Sequence, residues 1–461
     1  MSAVPAERRV PVRLSDDPVA DQIGNPVGKL AVAEPGAAPE ASRWPKSFVA
    51  LQVLNYRIYF GSQIVATTGL WMQRIAQDWM ISQLTGSAAA VGITVACQFL
   101  PVLFFGMFGG LVADRLPKRR VLMVTQSVAA SMAALLGVLA ITGVVQAWHV
   151  FAIAVMLGFV TVVDNPTRQA FVSDLVGRDY IRNAVSLNSS VFQLGGLIGP
   201  AISGILIHAI GQGPSFLINS GACLLVVTLL GIMKVPSAVA AKPAQSVSIA
   251  RQLSEGLGYI RRTPEVLWTI VLVTALALFG TNMPVLLTAF ATNVFPGGVG
   301  GYSLFNTLVA VGSLAGALYS ARRTDSPRLR FLVSALGGLG IGLILASRFG
   351  WEPLFCLTLV GIGMMSLLFM TSANSLVQMT APHAVRGRVM SVYLLMLLGC
   401  QAIGGPIVGV VIDRIGVQST MLLCGSIVGL AAVGAGLAMA RQSKLTVSVS
   451  RSRMPLQIVH R

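Results

Sequence analysis

Between Phe48 and Ala440 the chain is a succession of apolar runs separated by short polar loops, and those loops carry most of its positive charge. That alternation constrains the fold more than any motif does. A helix needs ~20 apolar residues to cross a hydrocarbon core ~30 Å thick. Twelve runs reach that length: 55–83, 88–113, 120–142, 147–171, 183–209 and 213–234, then 264–292, 300–321, 329–348, 352–378, 387–412 and 417–440. Composition points the same way, with 54% hydrophobic residues, 11% charged residues and a mean hydropathy of +0.76. A soluble domain carries about 25% charge. The predicted fold is an all-α membrane protein of 12 transmembrane helices in two pseudo-symmetric six-helix bundles.

The formal net charge of +17 would suggest nucleic-acid binding in a soluble chain. Here its distribution points elsewhere. With the N-terminus inside, 30 of the 33 lysines and arginines fall on cytoplasmic segments, leaving only Arg74, Arg348 and Arg414. This is the positive-inside bias of a multi-pass protein of the cell (plasma or inner) membrane with both termini cytoplasmic. The expected organisation is a disordered cytoplasmic tail (1–46), an N-terminal bundle (47–234), a cytoplasmic linker with a short amphipathic helix (235–263), a C-terminal bundle (264–441) and a second cytoplasmic tail (442–461). Arg8-Arg9 is followed by no apolar stretch, so it is not read as a twin-arginine signal. Cys97, Cys223, Cys356, Cys400 and Cys424 sit singly in apolar runs, which supports neither a disulfide framework nor a zinc site.

The two halves repeat. Gly106-x3-Gly110 recurs as Gly312-x3-Gly316, Gly199-Pro200 as Gly405-Pro406, Asn165 and Gln169 as Asn374 and Gln378, and Ser186 as Ser391, all at nearly one offset. Parallel six-span repeats are the architecture of rocking secondary transporters.

After the second run comes Gly110-Leu-Val-Ala-Asp114-Arg115-Leu-Pro117-Lys118-Arg119-Arg120. This resembles the loop signature of the major facilitator superfamily, with Pro117 where glycine is usual, and the resemblance spans about 48–441. It implies a cytoplasmic gate built on Gly110, Asp114, Arg115, Arg119 and Arg168. Asp114 would latch the halves together through the start of span eleven and Arg168. The second-half copy ends in Ser320-Ala-Arg322-Arg323 and lacks the acid, so one latch of this kind is expected.

Span five carries Gly195-x3-Gly199-Pro200-x3-Gly204 and is similar to the superfamily's antiporter signature, with Ser186 and Ser203 replacing glycines. Span four ends in Asp164-Asn165-Pro166-Thr167-Arg168-Gln169-Ala170. It resembles a segment of the branch that holds the enterobactin exporter and related multidrug efflux proteins, which are drug:proton antiporters. Asp164 and Arg168 lie four apart and read as an inner gate or as a helix-end ion pair.

Span one carries Gln63, Thr67, Arg74, Gln77 and Asp78 on roughly one helix face, with Trp71 beside them. A buried arginine or aspartate costs at least ~2.5–3.5 kcal/mol in a hydrocarbon core, so this face is expected to line a wet cavity. Arg74 and Asp78 are also four apart and can pair. Asp78, Arg74 and Asp164 are the proton-coupling candidates, and a static ion pair is the alternative for the first two. Asn282, Met283, Asn374 and Gln378 join Gln63, Thr67, Trp71, Gln77 and Asn165 as cavity or substrate candidates, with interhelical hydrogen bonding or core packing as the alternative use of each. Phe99 and Phe279 are further apolar candidates.

No protease, hydrolase, Walker or dinucleotide motif occurs, and the four histidines give no metal spacing. The expectation is therefore no enzyme, no cofactor and no metal. The partners expected are a small-molecule substrate, protons and the lipid bilayer, with no nucleic acid, and the chain is expected to work as a monomer. The function expected is proton-coupled export of a hydrophobic or amphiphilic drug or metabolite. Nutrient import or uniport, or a non-transporting sensor or scaffold, are the alternatives.

Overall fold

The computed structural model describes residues 45–233, 249–323, 327–442, 445–449 and 456–460. The expected N-terminal tail, apart from Pro45 and Lys46, and linker residues 235–248 lie outside the described residues. A 3-10 turn at Lys46–Gln52 leads into helices α1 (Leu54–Thr85), α2 (Ala88–Arg115), α3 (Lys118–Ile141), α4 (Ala147–Ile210) and α5 (Gln212–Ile232). The second half comprises α6 (Ile249–Arg262), α7 (Pro264–Ala275), α8 (Met283–Asn293), α9 (Gly298–Arg322), α10 (Leu329–Arg348), α11 (Glu352–Thr380), α12 (His383–Ile415) and α13 (Val417–Gln442). In the C-terminal tail, strands Leu445–Val449 and Leu456–His460 pair antiparallel.

Among the described residues, eleven helical stretches are long and apolar enough to cross a membrane. The expected first span, α1, is not one of them. It has 32 residues, which is ample length, but Arg57, Arg74 and Asp78 interrupt its apolar character. Many large side chains on the outer faces, such as Leu430 at 70% and Phe104 at 69% exposure, are left bare of protein. Patches of that kind are rare on soluble monomers and suit a lipid surround.

Two features of the helices matter for the site. Spans four and five are the two membrane-length stretches Ala147–Gly177 and Tyr180–Ile210 of α4, and the chain turns between them at Gly177, whose backbone (φ +69°) is not helical. That positive-φ backbone carries no steric penalty in glycine, so one helix ends and the next begins with almost no connecting chain. Span seven (Pro264–Asn293) is interrupted at Asn282 and Pro284, as those two residues suggest in the sequence. Helix α7 passes through a π-turn at Leu276–Gly280 and stops, and α8 restarts with Pro284 in its first turn. The Asn282 amide donates to the freed carbonyls of Leu278 (2.8 Å) and Ala277 (3.3 Å), so its donor group serves this break.

Each half packs mainly on itself, through α1, α2 and α3 against α4 and α5 in the first and α9, α10, α11 and α13 in the second. The halves meet along two seams, α2 against α12 and α4 against α9. Glycine makes these approaches possible. A Cβ on Gly92 would lie 2.2 Å from the Gly405 carbonyl oxygen, and one on Gly204 would lie 2.5 Å from the Ser303 Cβ. Within the halves, Gly109 abuts the Val162 carbonyl (1.8 Å to a built Cβ) and Gly312 abuts that of Val360 (1.9 Å), whereas Gly106 sits beside its own helix and Gly110 in open space. The packing repeat therefore matches Gly109 to Gly312, three residues from the Gly106 match that spacing alone suggests. The seam is set by which residue faces the neighbouring helix.

Candidate functional site

A cavity of about 260 Å³ lies between the halves. Trp71, Arg74 and Asp78 of α1, Gln98 and Phe99 of α2, and Gln193 and Pro200 of α4 line one side. Met283, Pro284, Tyr302, Asn306, Ser313 and Gln401 line the other. Most of its surface is apolar, and its two side chains of opposite charge, Arg74 and Asp78, come from the same helix.

These two do not form an ion pair with each other. Asp78, only 3% exposed, accepts a hydrogen bond at Oδ2 from the Tyr302 hydroxyl of α9 (3.1 Å), while its Oδ1 is buried without a partner. Trp79 stacks on the Tyr302 ring at 6.1 Å. Arg74 instead places its guanidinium over Trp71 (5.5 Å to the ring centroid) and Phe99 (5.6 Å). Four-residue spacing allows a pair, but the aspartate is turned toward the other half of the molecule and the long arginine side chain takes the aromatic faces. The bond from Asp78 to Tyr302 thus bridges the two halves at the wall of the cavity.

Asp164 and Arg168 do pair, within the first half. Arg168 donates to Asp164 and to Gln63 of α1, and Asp164 Oδ1 also accepts from Thr125 (2.7 Å) and Gln126 (3.3 Å) of α3. This ties α1, α3 and α4 together. Asp114 is exposed and, among the described residues, carries no hydrogen bond or ion pair, and Arg168, its expected partner, is bonded to Asp164 and Gln63. Of the other expected gate residues, Arg119 donates to the carbonyls of Leu230 (2.6 Å) and Gly231 at the end of α5, and Arg115 is exposed. Lys118 pairs with Asp174 at 2.6 Å.

Of the nine cavity candidates, Trp71 and Met283 line the cavity. Thr67 packs on Gly195, and Gln77 is buried in α1. Asn165 is exposed, and Gln378 bonds to Asn374 on its own helix. In span five, Gly195 and Gly199 seat α4 on Thr67 and Trp71 of α1, while Gly204 meets α9 of the other half. Among the described residues, no three His, Cys, Asp or Glu side chains converge as a metal site would require.

Asp413, at the end of α12, escaped the sequence reading. Its carboxylate accepts from Ser87 Oγ (2.5 Å), Ala88 N–H (2.8 Å) and Ala89 N–H (3.1 Å) at the start of α2. A signal for it exists. Gly409-Val-Val-Ile-Asp413-Arg414 repeats the spacing of Gly110-Leu-Val-Ala-Asp114-Arg115, at the opposite end of the bundle. All of these contacts between halves (Asp413 to α2, Gly92 to Gly405, Gly204 to Ser303, Asp78 to Tyr302) lie toward the end remote from the basic loops.

Two helical halves around a shared cavity, with eleven membrane-length stretches among the described residues, agree with the family match, which makes the chain a multi-pass transporter of the major facilitator type. Residues 46–461 match the transmembrane secretion effector family, and the chain belongs to it. It is 27% identical over 371 residues to the multidrug efflux pump Tap of Mycolicibacterium fortuitum, covering 78% of this chain and 89% of that one. It is 24% identical to the staphyloferrin A transporter of Staphylococcus aureus (80% and 92% covered) and 25% to the enterobactin exporter EntS of Shigella boydii (77% and 84%). Among solved structures, the nucleoside transporter NupG superposes with a TM-score of 0.66 at 13% identity, covering 84% of this chain and 99% of that one. An inward-facing bacterial homologue of the human lysosomal transporter Spinster gives 0.63 at 14% identity, covering 86% and 97%.

Proposed function

We propose that the protein exports an amphiphilic small molecule across the cell membrane by proton antiport and alternating access, working as a monomer of twelve spans. On this reading α1 is the remaining span, its polar face turned to the cavity, and both termini are cytoplasmic. On this reading the end where the halves touch is the outer one, and the end that carries the basic loops faces the cytoplasm.

The observation that carries this reading is the bond between Asp78 and Tyr302. A buried carboxylate with one oxygen unpartnered is expensive in its charged form. A proton on that oxygen removes the charge while leaving the acceptor for Tyr302. The same group also holds the halves together, so its protonation and the opening of the outer end are linked through one hydrogen bond. Asp164, whose charge is met by Arg168 and two polar side chains, has no such unfilled site and serves as the brace of the inner half-helices.

The test is efflux from proteoliposomes under an imposed pH gradient. Asp78→Asn keeps the acceptor for Tyr302 and cannot carry a proton, so gradient-driven export is expected to fall by at least ~10-fold, equivalent to ~1.4 kcal/mol. Export that still follows the gradient in that variant removes Asp78 from the coupling step.

A further inference from the structure

We infer that Arg74 is the anchor for an organic anion: the cavity is built to take an aromatic or otherwise apolar molecule bearing a carboxylate, sulfonate or phenolate. This deepens the export reading and rests on it for calling that molecule the substrate. Arg74 faces the cavity with no hydrogen bond or ion pair to any described residue, and its close partners are the rings of Trp71 and Phe99. Aromatic faces satisfy a guanidinium's π-surface and leave its in-plane N–H groups free, and that planar fork matches an anionic oxygen pair. Further donors surround it. The Trp71 indole N–H is buried without a partner, and Gln98, Gln193 and Gln401 line the cavity with no hydrogen bond to any described residue. The cavity's one carboxylate, Asp78, is already turned to Tyr302. Phe99, Met283, Ile75, Val95 and Ile362 supply the apolar wall for the body of the ligand.

The probe pair is 8-anilinonaphthalene-1-sulfonate and N-phenyl-1-naphthylamine, which share a ring body and differ by one anionic group. Binding is measured to the full chain in nanodiscs, with empty discs subtracted. The wild type is expected to prefer the sulfonate by roughly 10-fold, Arg74→Gln to bring the two within about twofold, and Arg74→Lys to keep part of the preference. Equal affinity in the wild type, an unchanged preference in Arg74→Gln, or tighter binding of the cation rhodamine 6G overturns the assignment. The wild-type comparison decides even if a variant misfolds. Binding without gradient-driven transport leaves the anion site standing and removes the export reading instead.

Discussion

Asp78 and Asp164 are two buried carboxylates of the same half, 3% and 6% exposed, yet their surroundings differ in kind. Asp164 is met on every side from within its own bundle, by Arg168, Thr125 and Gln126. Asp78 has one partner, from the other bundle, and one oxygen left over. A charge surrounded by fixed partners in one rigid body holds that body together. A charge with a single partner across a moving boundary changes its surroundings whenever the boundary moves. On the proposed reading the contrast separates a brace from a switch, although both are aspartates on long helices.

The largest effect that tests the contrast is in stability. Asp164→Ala strands Arg168 in the protein interior, and breaking one side of a buried pair costs about 3–5 kcal/mol. Thermal unfolding followed by size-exclusion chromatography should show a sharply lowered midpoint. A well-folded Asp164→Ala protein that instead loses its response to a pH gradient would exchange the two roles. The next effect is in coupling: Asp78→Asn should unfold close to wild type while losing its gradient-driven export by ~10-fold or more, ~1.4 kcal/mol.

Tyr302→Phe sharpens the comparison further. Removing the one bond between Asp78 and the second half is worth about 1 kcal/mol, near the net value of a single hydrogen bond. It should shift the ratio of the two end-open states roughly fivefold in spin-label distances. An unchanged ratio would make the contact incidental. The smallest effect belongs to the Lys118–Asp174 pair, with side chains 23% and 30% exposed. Partly exposed pairs of this kind contribute about 0–1 kcal/mol, so Lys118→Ala should leave unfolding nearly unchanged.

What the sequence could and could not disclose follows the same physics. The membrane-length runs and basic loops are legible because hydropathy and charge are local properties. The Asp164–Arg168 pair forms at a spacing of four because both partners ride on one helix. The same rule, applied to Arg74 and Asp78, offers a pair that the structure does not contain. Nothing local to α1 shows that Tyr302, 224 residues away, competes for the carboxylate, or that Phe99 waits for the guanidinium. Polarity also lowers the mean hydropathy of α1, because the residues that line the cavity, Arg74 and Asp78 among them, dilute its apolar ones. The contact between Asp413 and α2 was visible only as a repeated short run, and which end of the bundle that run occupies depends on chain direction through the membrane.

Helix α4 has a mechanical consequence. Its first arm holds the Asp164–Arg168 cluster, its second carries Gly204 against Ser303, and Gly177 is the elbow between them. Only two residues separate Gly177 from the second membrane-length stretch at Tyr180, so a tilt of one arm is expected to be felt by the other. If the halves rock as proposed, α4 would work as a crank, and tilting its first arm would drag the Gly204 closure with it.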